Sequence, residues 1–134
     1  MDCIFCKIVK KEIPSNIIYE DDKTLAFLDI ANDFYGHTLV IPKKHCENLI
    51  DCDKRTYNAV MNTVKKISEH YVQNCGFAGV NIVNASGKEA EQSVFHLHIH
   101  IIPRKKDDGY KIWPVKDKES FDNKKIANKL RIKG

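Results

Sequence analysis

Residues 96–103 read His96-Leu97-His98-Ile99-His100-Ile101-Ile102-Pro103, three histidines alternating with apolar residues. Side chains of a β-strand point alternately to its two faces, so the pattern predicts a strand over residues 94–102 with three imidazoles on one side. Phe95, Leu97, Ile99 and Ile101 line the other side and anchor the strand to a core. The rings are then expected roughly 6.6 Å apart, twice the rise per strand residue. A single histidine on such a strand is more often a satisfied core residue. Three in register point to chemistry, because imidazole titrates near neutral pH and serves as base, nucleophile or metal ligand.

The rest of the chain predicts the partners of that strand. Residues 16–20 and 24–28 are short apolar-rich runs separated by Asp21-Asp22-Lys23, a hairpin signal. Gly36 introduces and Pro42 ends a third strand over 38–42. Between 53 and 75, Tyr57, Val60, Met61, Val64, Ile67, Tyr71, Val72 and Cys75 recur at helical spacing, with Gly76 as the stop. A fourth strand follows over 79–84, then a loop over 85–91. Strands, a long helix and further strands predict an α+β domain, an antiparallel five-stranded sheet with the helix packed on it. Residues 104–109 read as a charged turn. Residues 120–132 suggest a last helix with Phe121, Ile126 and Leu130 as a thin apolar stripe.

Composition narrows the function classes. The 134 residues, 43% hydrophobic, suit one domain with its own core. The net charge of +4 is modest, and the terminal Lys124, Lys125, Lys129, Arg131 and Lys133 read as a solvated helix face. No basic stripe interleaved with aromatics points to nucleic acid. No apolar run has membrane-spanning length and no secretory signal is seen. Five cysteines, an odd number, argue against a disulfide framework and for a cytoplasmic protein.

Two more histidines bracket the third strand, in Gly36-His37-Thr38-Leu39-Val40-Ile41-Pro42-Lys43-Lys44-His45. With 25–30, which contains Asp29, and with 92–103, this segment resembles the histidine triad family of nucleotide-binding hydrolases and transferases. The resemblance, counting also 2–8, covers most of residues 2–103 and leaves 104–134 as a C-terminal extension of a single domain.

The resemblance implies a site for a purine nucleotide derivative, a phosphoramidate or an acyl adenylate, cleaved at the α-phosphate. His98 would attack phosphorus to give a nucleotidyl-imidazole that water then cleaves, dividing one hard displacement into two easier ones. His100 would face the phosphate oxygens and leaving group, and His37 would orient the nucleophile. Ser93 offers the leaving group a hydroxyl, and Asn84 offers a phosphate oxygen an amide. Gln92 belongs to the same nucleotide-binding set. Asp29 would accept the ribose hydroxyls, and Ile4, Phe5, Ile8, Phe27 and Ile30 would form the slot for the base. Without the resemblance, those last five read as core packing.

Cys3-Ile4-Phe5-Cys6 is half a zinc site by spacing, or equally a pair of buried small residues. A structural zinc needs four ligands, and the resemblance completes the set with His45 and His96. Cys46, Cys52 and Cys75 read as packing residues and His70 as a solvated one. The resemblance also implies a homodimer that extends the sheet, covering an edge strand and the apolar face of the 53–75 helix, with Trp113 reaching toward the partner. One residue departs from the family pattern. Glu91 stands immediately before Gln92-Ser93, where relatives usually carry glycine, with Lys88 its nearest counter-charge. Glutamate does not comfortably adopt the positive φ that glycine allows. It keeps a competing reading open, a non-catalytic nucleotide-binding protein, and His-x-His spacing separately allows a third, a catalytic metal site.

Overall fold

Asp21 shows how locally the sheet is set up. Its carboxylate accepts from the backbone N–H groups of Lys23 (2.9 Å) and Thr24 (2.8 Å) and so closes the first hairpin. The computed structural model describes residues 2–114 and 116–134. Its strands are β1 (Ile17–Glu20), β2 (Thr24–Leu28), β3 (Thr38–Pro42), β4 (Gly79–Val83) and β5 (Ile99–Arg104). They form one sheet in the order β1-β2-β3-β5-β4, antiparallel throughout. Helices α1 (Ile4–Val9), α2 (Lys54–Asn74) and α3 (Asn123–Leu130) complete the architecture. The α+β fold expected from the sequence is the fold observed.

The two sheet faces are covered differently. Asp53 caps α2, its carboxylate accepting from Thr56 N at 2.8 Å. Val60, Val64, Ile67 and Tyr71 then pack on Ala26, Val40, Leu97, Ile99 and Ile101. Each such buried aliphatic side chain contributes roughly 1.5–3 kcal/mol of transfer free energy. Two polar pairs fix the helix on that face, Thr24 with Thr63 (2.7 Å) and Thr38 with Tyr71 (2.6 Å). On the opposite face, Leu25, Phe27, Leu39 and Ile41 are covered by Phe5 and Ile8 of α1. The strand alternation therefore assigns Leu97, Ile99 and Ile101 to the long helix and the histidines to the α1 side.

Several expectations are corrected. The α1 helix was not foreseen, because six residues are too short for a visible helical period; it is held by Cys3, whose sulfur accepts from Cys6 N. A single 3-10 turn occupies Lys88–Ala90 within the expected loop. β5 begins at Ile99, so His96 and His98 precede the paired strand, and Phe95 is 46% exposed instead of joining the apolar layer. Ile4 and Ile30 are also exposed, at 47% and 87%. Most of the apolar face of α2 is buried on its own sheet, with Val72 41% exposed, and β1 and β4 are the edge strands. Cys46 is buried as expected, whereas Cys75 is exposed beside His70, its sulfur 3.5 Å from Nε2. α3 is shorter than residues 120–132 and buries none of its residues.

Candidate active site

β3 and the run into β5 bring five histidines to the α1 side of the sheet, in two groups. The first group is metal-like. Cys3, Cys6, His45 and His96 offer donor atoms that all lie within 4.8 Å of one another. Cys3 Sγ is 3.3 Å and Cys6 Sγ 3.6 Å from His96 Nδ1, Cys6 Sγ is 3.4 Å from His45 Nδ1, and the two Nδ1 atoms are 3.1 Å apart. Tetrahedral zinc with the usual Zn–S and Zn–N lengths separates its donors by about 3.3 to 3.8 Å, so the group fits that geometry with little rearrangement. His96 is fully buried and donates Nε2–H to Pro42 O at 2.8 Å, which leaves the Nδ1 lone pair facing the other three donors. Burial holds the His96 pKa down at about 4, so the ring is neutral. Burial and the Cys3 sulfur push the Cys6 thiol up, a preference that a cation would reverse.

The second group has the opposite arrangement. His98, 7% exposed, donates Nδ1–H to His96 O at 2.8 Å. A carbonyl only accepts, so the neutral ring carries its lone pair on Nε2. Burial pushes the His98 pKa below its ordinary 6.5, which keeps that lone pair available at neutral pH. Phe5 meets the ring edge-on at 5.2 Å, and Asn84 Nδ2 donates to His98 O at 3.0 Å. One amide hydrogen of Asn84 is thus committed to holding the histidine's backbone. The His100 ring lies 5.0 Å from that of His98, closer than the strand repeat, with the ring planes at 65°. Burial, His98 and His37 hold its pKa at about 4.

Gly36, at φ +73°, closes the turn that presents His37, and a Cβ there would meet Pro103 Cγ at 3.1 Å. His37 Nε2 is 2.8 Å from His100 Nδ1 and 3.8 Å from Asp29 Oδ2. On its other side, His37 Nδ1 meets Asp33 Oδ1 at 2.8 Å. Asp33 was not foreseen from the sequence. Its position four residues before His37 was the available signal, and in a loop that spacing carries no fixed geometry. Partial burial acts to raise the Asp33 carboxyl, but the His37 contact and the backbone N–H groups of Asp33 and Phe34 together outweigh it and the pKa falls.

The remaining expected residues divide. Phe5, Ile8 and Phe27 form an apolar wall beside His98, with Phe5 and Phe27 edge to face at 5.6 Å. Asp29 is half-buried near His37, with Oδ1 accepting from Ala31 N. Gln92 is buried, and both its amide hydrogens go to carbonyls, Glu47 O at 2.6 Å and Val94 O at 3.0 Å. Its oxygen accepts from Gly87 N at 2.8 Å, so the side chain braces the loop. Ser93 is exposed on the wall of a cavity of about 530 Å³ that also includes Cys3, Ile4 and His45. Glu91 adopts the left-handed conformation at φ +69°, exposed and with no ion pair to Lys88 among the described residues.

An α+β sheet carrying a buried imidazole with a free Nε2, beside a second imidazole and a cysteine–histidine donor group, defines a histidine-based site. The HIT domain family model matches residues 10–107, and the chain belongs to that family. It is 50% identical over 111 residues to an uncharacterized HIT-like protein of Borreliella burgdorferi, covering 81% of this chain and 80% of the relative. It is 36% identical to the adenosine 5'-monophosphoramidase hnt1 of Schizosaccharomyces pombe, covering 89% and 90%. The crystal structure of a zinc-bound histidine triad family protein from Mycobacterium smegmatis superposes with a TM-score of 0.79 at 37% identity, covering 87% and 85%.

Proposed function

We propose that this chain is a nucleotide hydrolase or nucleotidyl transferase that cleaves a purine nucleotide derivative at its α-phosphate through a nucleotidyl-His98 intermediate. The observation that carries the reading is the His98 hydrogen bond to its own strand, which leaves Nε2 as a neutral nucleophile. In the first step Nε2 bonds to phosphorus as the bond to the leaving group breaks, and the departing group takes a proton from solvent while the Ser93 hydroxyl hydrogen-bonds to it. In the second step water bonds to phosphorus as the P–Nε2 bond breaks. His100 faces the phosphate oxygens and the leaving group, and the second amide hydrogen of Asn84 reaches a phosphate oxygen. Asp29 Oδ2 takes the ribose hydroxyls, Phe5, Ile8 and Phe27 face the base, and the exposed Ile4 and Ile30 close on it. Gln92 acts from behind, through the loop. That Glu91 adopts the glycine-type conformation removes the loop geometry as an argument for mere binding.

Zinc, where bound, would be held by Cys3, Cys6, His45 and His96 and would supply structural rigidity by tying α1 to the sheet. The protein acts in the cytoplasm as a homodimer that covers the β4 edge; light scattering at micromolar concentration should report twice the chain mass, and an active monomer would overturn this. Mass spectrometry after a brief acid quench with adenosine 5'-phosphoramidate tests the chemistry. An adenylyl adduct on His98 is expected. An adduct elsewhere, or turnover with none, would overturn the covalent route. Chelation separates the metal alternative, since a catalytic metal site would lose activity at once.

A further inference from the structure

We propose that Asp33 is a positioning residue that acts through His37 on His100 and sets the proton arrangement for the second, hydrolytic step. The inference rests on the function proposed above. Three side chains form a continuous chain, Asp33 Oδ1 to His37 Nδ1 at 2.8 Å and His37 Nε2 to His100 Nδ1 at 2.8 Å. A carboxylate only accepts, so Asp33 fixes the His37 proton on Nδ1. In the proposed resting state His37 carries that one proton and presents a lone pair at Nε2, so that His100 donates from Nδ1 across the short contact. His100 is left with its own lone pair on Nε2, the nitrogen not committed to His37. One exposed carboxylate thus determines the tautomers of one buried and one half-buried ring.

The loop is built to hold this arrangement. His37 N–H donates to Phe34 O at 3.2 Å, and Gly36 turns the chain at φ +73°, which folds residue 33 back onto residue 37. Phe34 N–H donates to the same Asp33 oxygen at 2.9 Å. The Phe34 ring stands edge-on to His37 at 5.7 Å and to Tyr110 at 5.0 Å, so the C-terminal segment braces the turn. Burial is deepest at the middle of the three, His37, with His100 half-buried. The His37 side chain is 7% exposed and that of Asp33 44%, on the wall of a cavity of about 570 Å³ that opens the carboxylate end to solvent. A surface ion pair would need none of this and would not reach a second imidazole.

The chemistry follows from the proton positions. As water bonds to phosphorus and the P–Nε2 bond of His98 breaks, the water proton goes to His100 Nε2. The Nδ1 proton of His100 passes to His37 Nε2, and the resulting His37 imidazolium lies against the Asp33 carboxylate. Nucleoside monophosphate leaves, the Nε2 proton of His37 returns to His100 Nδ1, and the Nε2 proton of His100 departs to solvent, which restores the starting tautomers. Asp33 touches neither water nor nucleotide, and its effect is on the tautomer and on where the positive charge rests.

Two measurements on Asp33→Ala and Asp33→Asn test this. In long-range ¹H–¹⁵N correlation spectra of the unaltered protein, His37 should show a proton on Nδ1 and His100 a proton on Nδ1. Asp33→Ala should convert both to mixed tautomers, and Asp33→Asn should retain the hydrogen bond in part. In rapid-quench kinetics with adenosine 5'-phosphoramidate, Asp33→Ala should slow adduct hydrolysis about 10- to 100-fold, with adduct formation changed less than about threefold, so that adenylyl-His98 accumulates. Unchanged tautomers, or equal slowing of both steps, would overturn the proposal. Absence of any adduct in the unaltered protein would overturn the underlying function and the assigned step together. The tautomer spectra would still show whether the hydrogen-bonded chain exists.

Discussion

His96 and His98 sit two residues apart on the same side of the sheet, in opposite tautomers. His96 donates Nε2–H to Pro42 O and turns Nδ1 toward Cys3, Cys6 and His45. His98 donates Nδ1–H to His96 O and keeps Nε2 free. Both are buried, and burial lowers both pKa values. What separates the proposed ligand corner from the proposed nucleophile corner is which ring nitrogen meets a backbone carbonyl. Residue type and spacing are the same in both, so the division of labour comes from the surroundings.

The largest expected effect lies at the nucleophile corner. His98→Ala should lower turnover of adenosine 5'-phosphoramidate by about 10³-fold or more while costing at most about 2 kcal/mol of stability. Steady-state kinetics and urea denaturation measure the two quantities. The mirrored result is expected at the other corner. Cys6→Ala, or removal of the metal by a chelator, should lower the melting temperature by about 10 °C, with activity per folded molecule within about twofold. Elemental analysis should find about one zinc per chain before removal and none after. Should the two variants lose stability equally, or activity equally, the contrast between the corners fails.

Much of this contrast was readable in the sequence, and part of it was not. The period of two in residues 96–101 placed Leu97, Ile99 and Ile101 against α2, and the helical period of 57–75 gave α2 to within a residue of its observed ends. Alternation says which face a ring takes and nothing about which of its nitrogens is protonated. That depends on Pro42 O and His96 O, backbone atoms without a sequence signature. Asp33 escaped for a related reason, since a loop folds residue 33 onto 37 through Gly36 and Phe34. Gln92 is expected in the nucleotide-binding set, and its four hydrogen bonds within the protein make it a brace. Phe95 was misplaced because the pairing starts only at Ile99 and leaves the preceding residues outside the ladder.

A pH series sharpens the contrast further. His100 has a folded pKa of about 4, lowered chiefly by burial, against an ordinary 6.5. Between those values the unfolded chain binds more protons than the folded one, so stability rises with pH across that window. The contribution is complete above pH 6.5 and drains away as pH falls toward 4. Its ceiling is about 3 kcal/mol, and less in proportion to the ring's remaining contact with water. Urea denaturation of the unaltered protein and His100→Gln between pH 4 and 7 should show a shallower slope in the variant. Equal slopes would mean that His100 keeps an ordinary pKa.

The smallest effect concerns the loop that joins the two corners. Gln92 ties it to Glu47, two residues beyond His45, and to Val94 just ahead of the histidine run. Glu91 precedes this brace at φ +69°, where a residue with a Cβ costs about 1–2 kcal/mol. Its N–H donates to Lys88 O and that of Gln92 to Gly87 O, so the turn itself is fully hydrogen-bonded and the strain is confined to Glu91. Glycine removes that strain but adds about 0.5–1 kcal/mol of chain entropy to the unfolded state. Glu91→Gly should therefore stabilise the protein by about 0.5–1 kcal/mol, and Glu91→Ala, which keeps the Cβ, should not. Urea midpoints at constant m measure it. Because the Gln92 contacts are left intact, metal content and the rate of adduct formation at His98 should stay as they are. A change in either would mean that residue 91 acts on the corners directly and is more than a strained hinge between them.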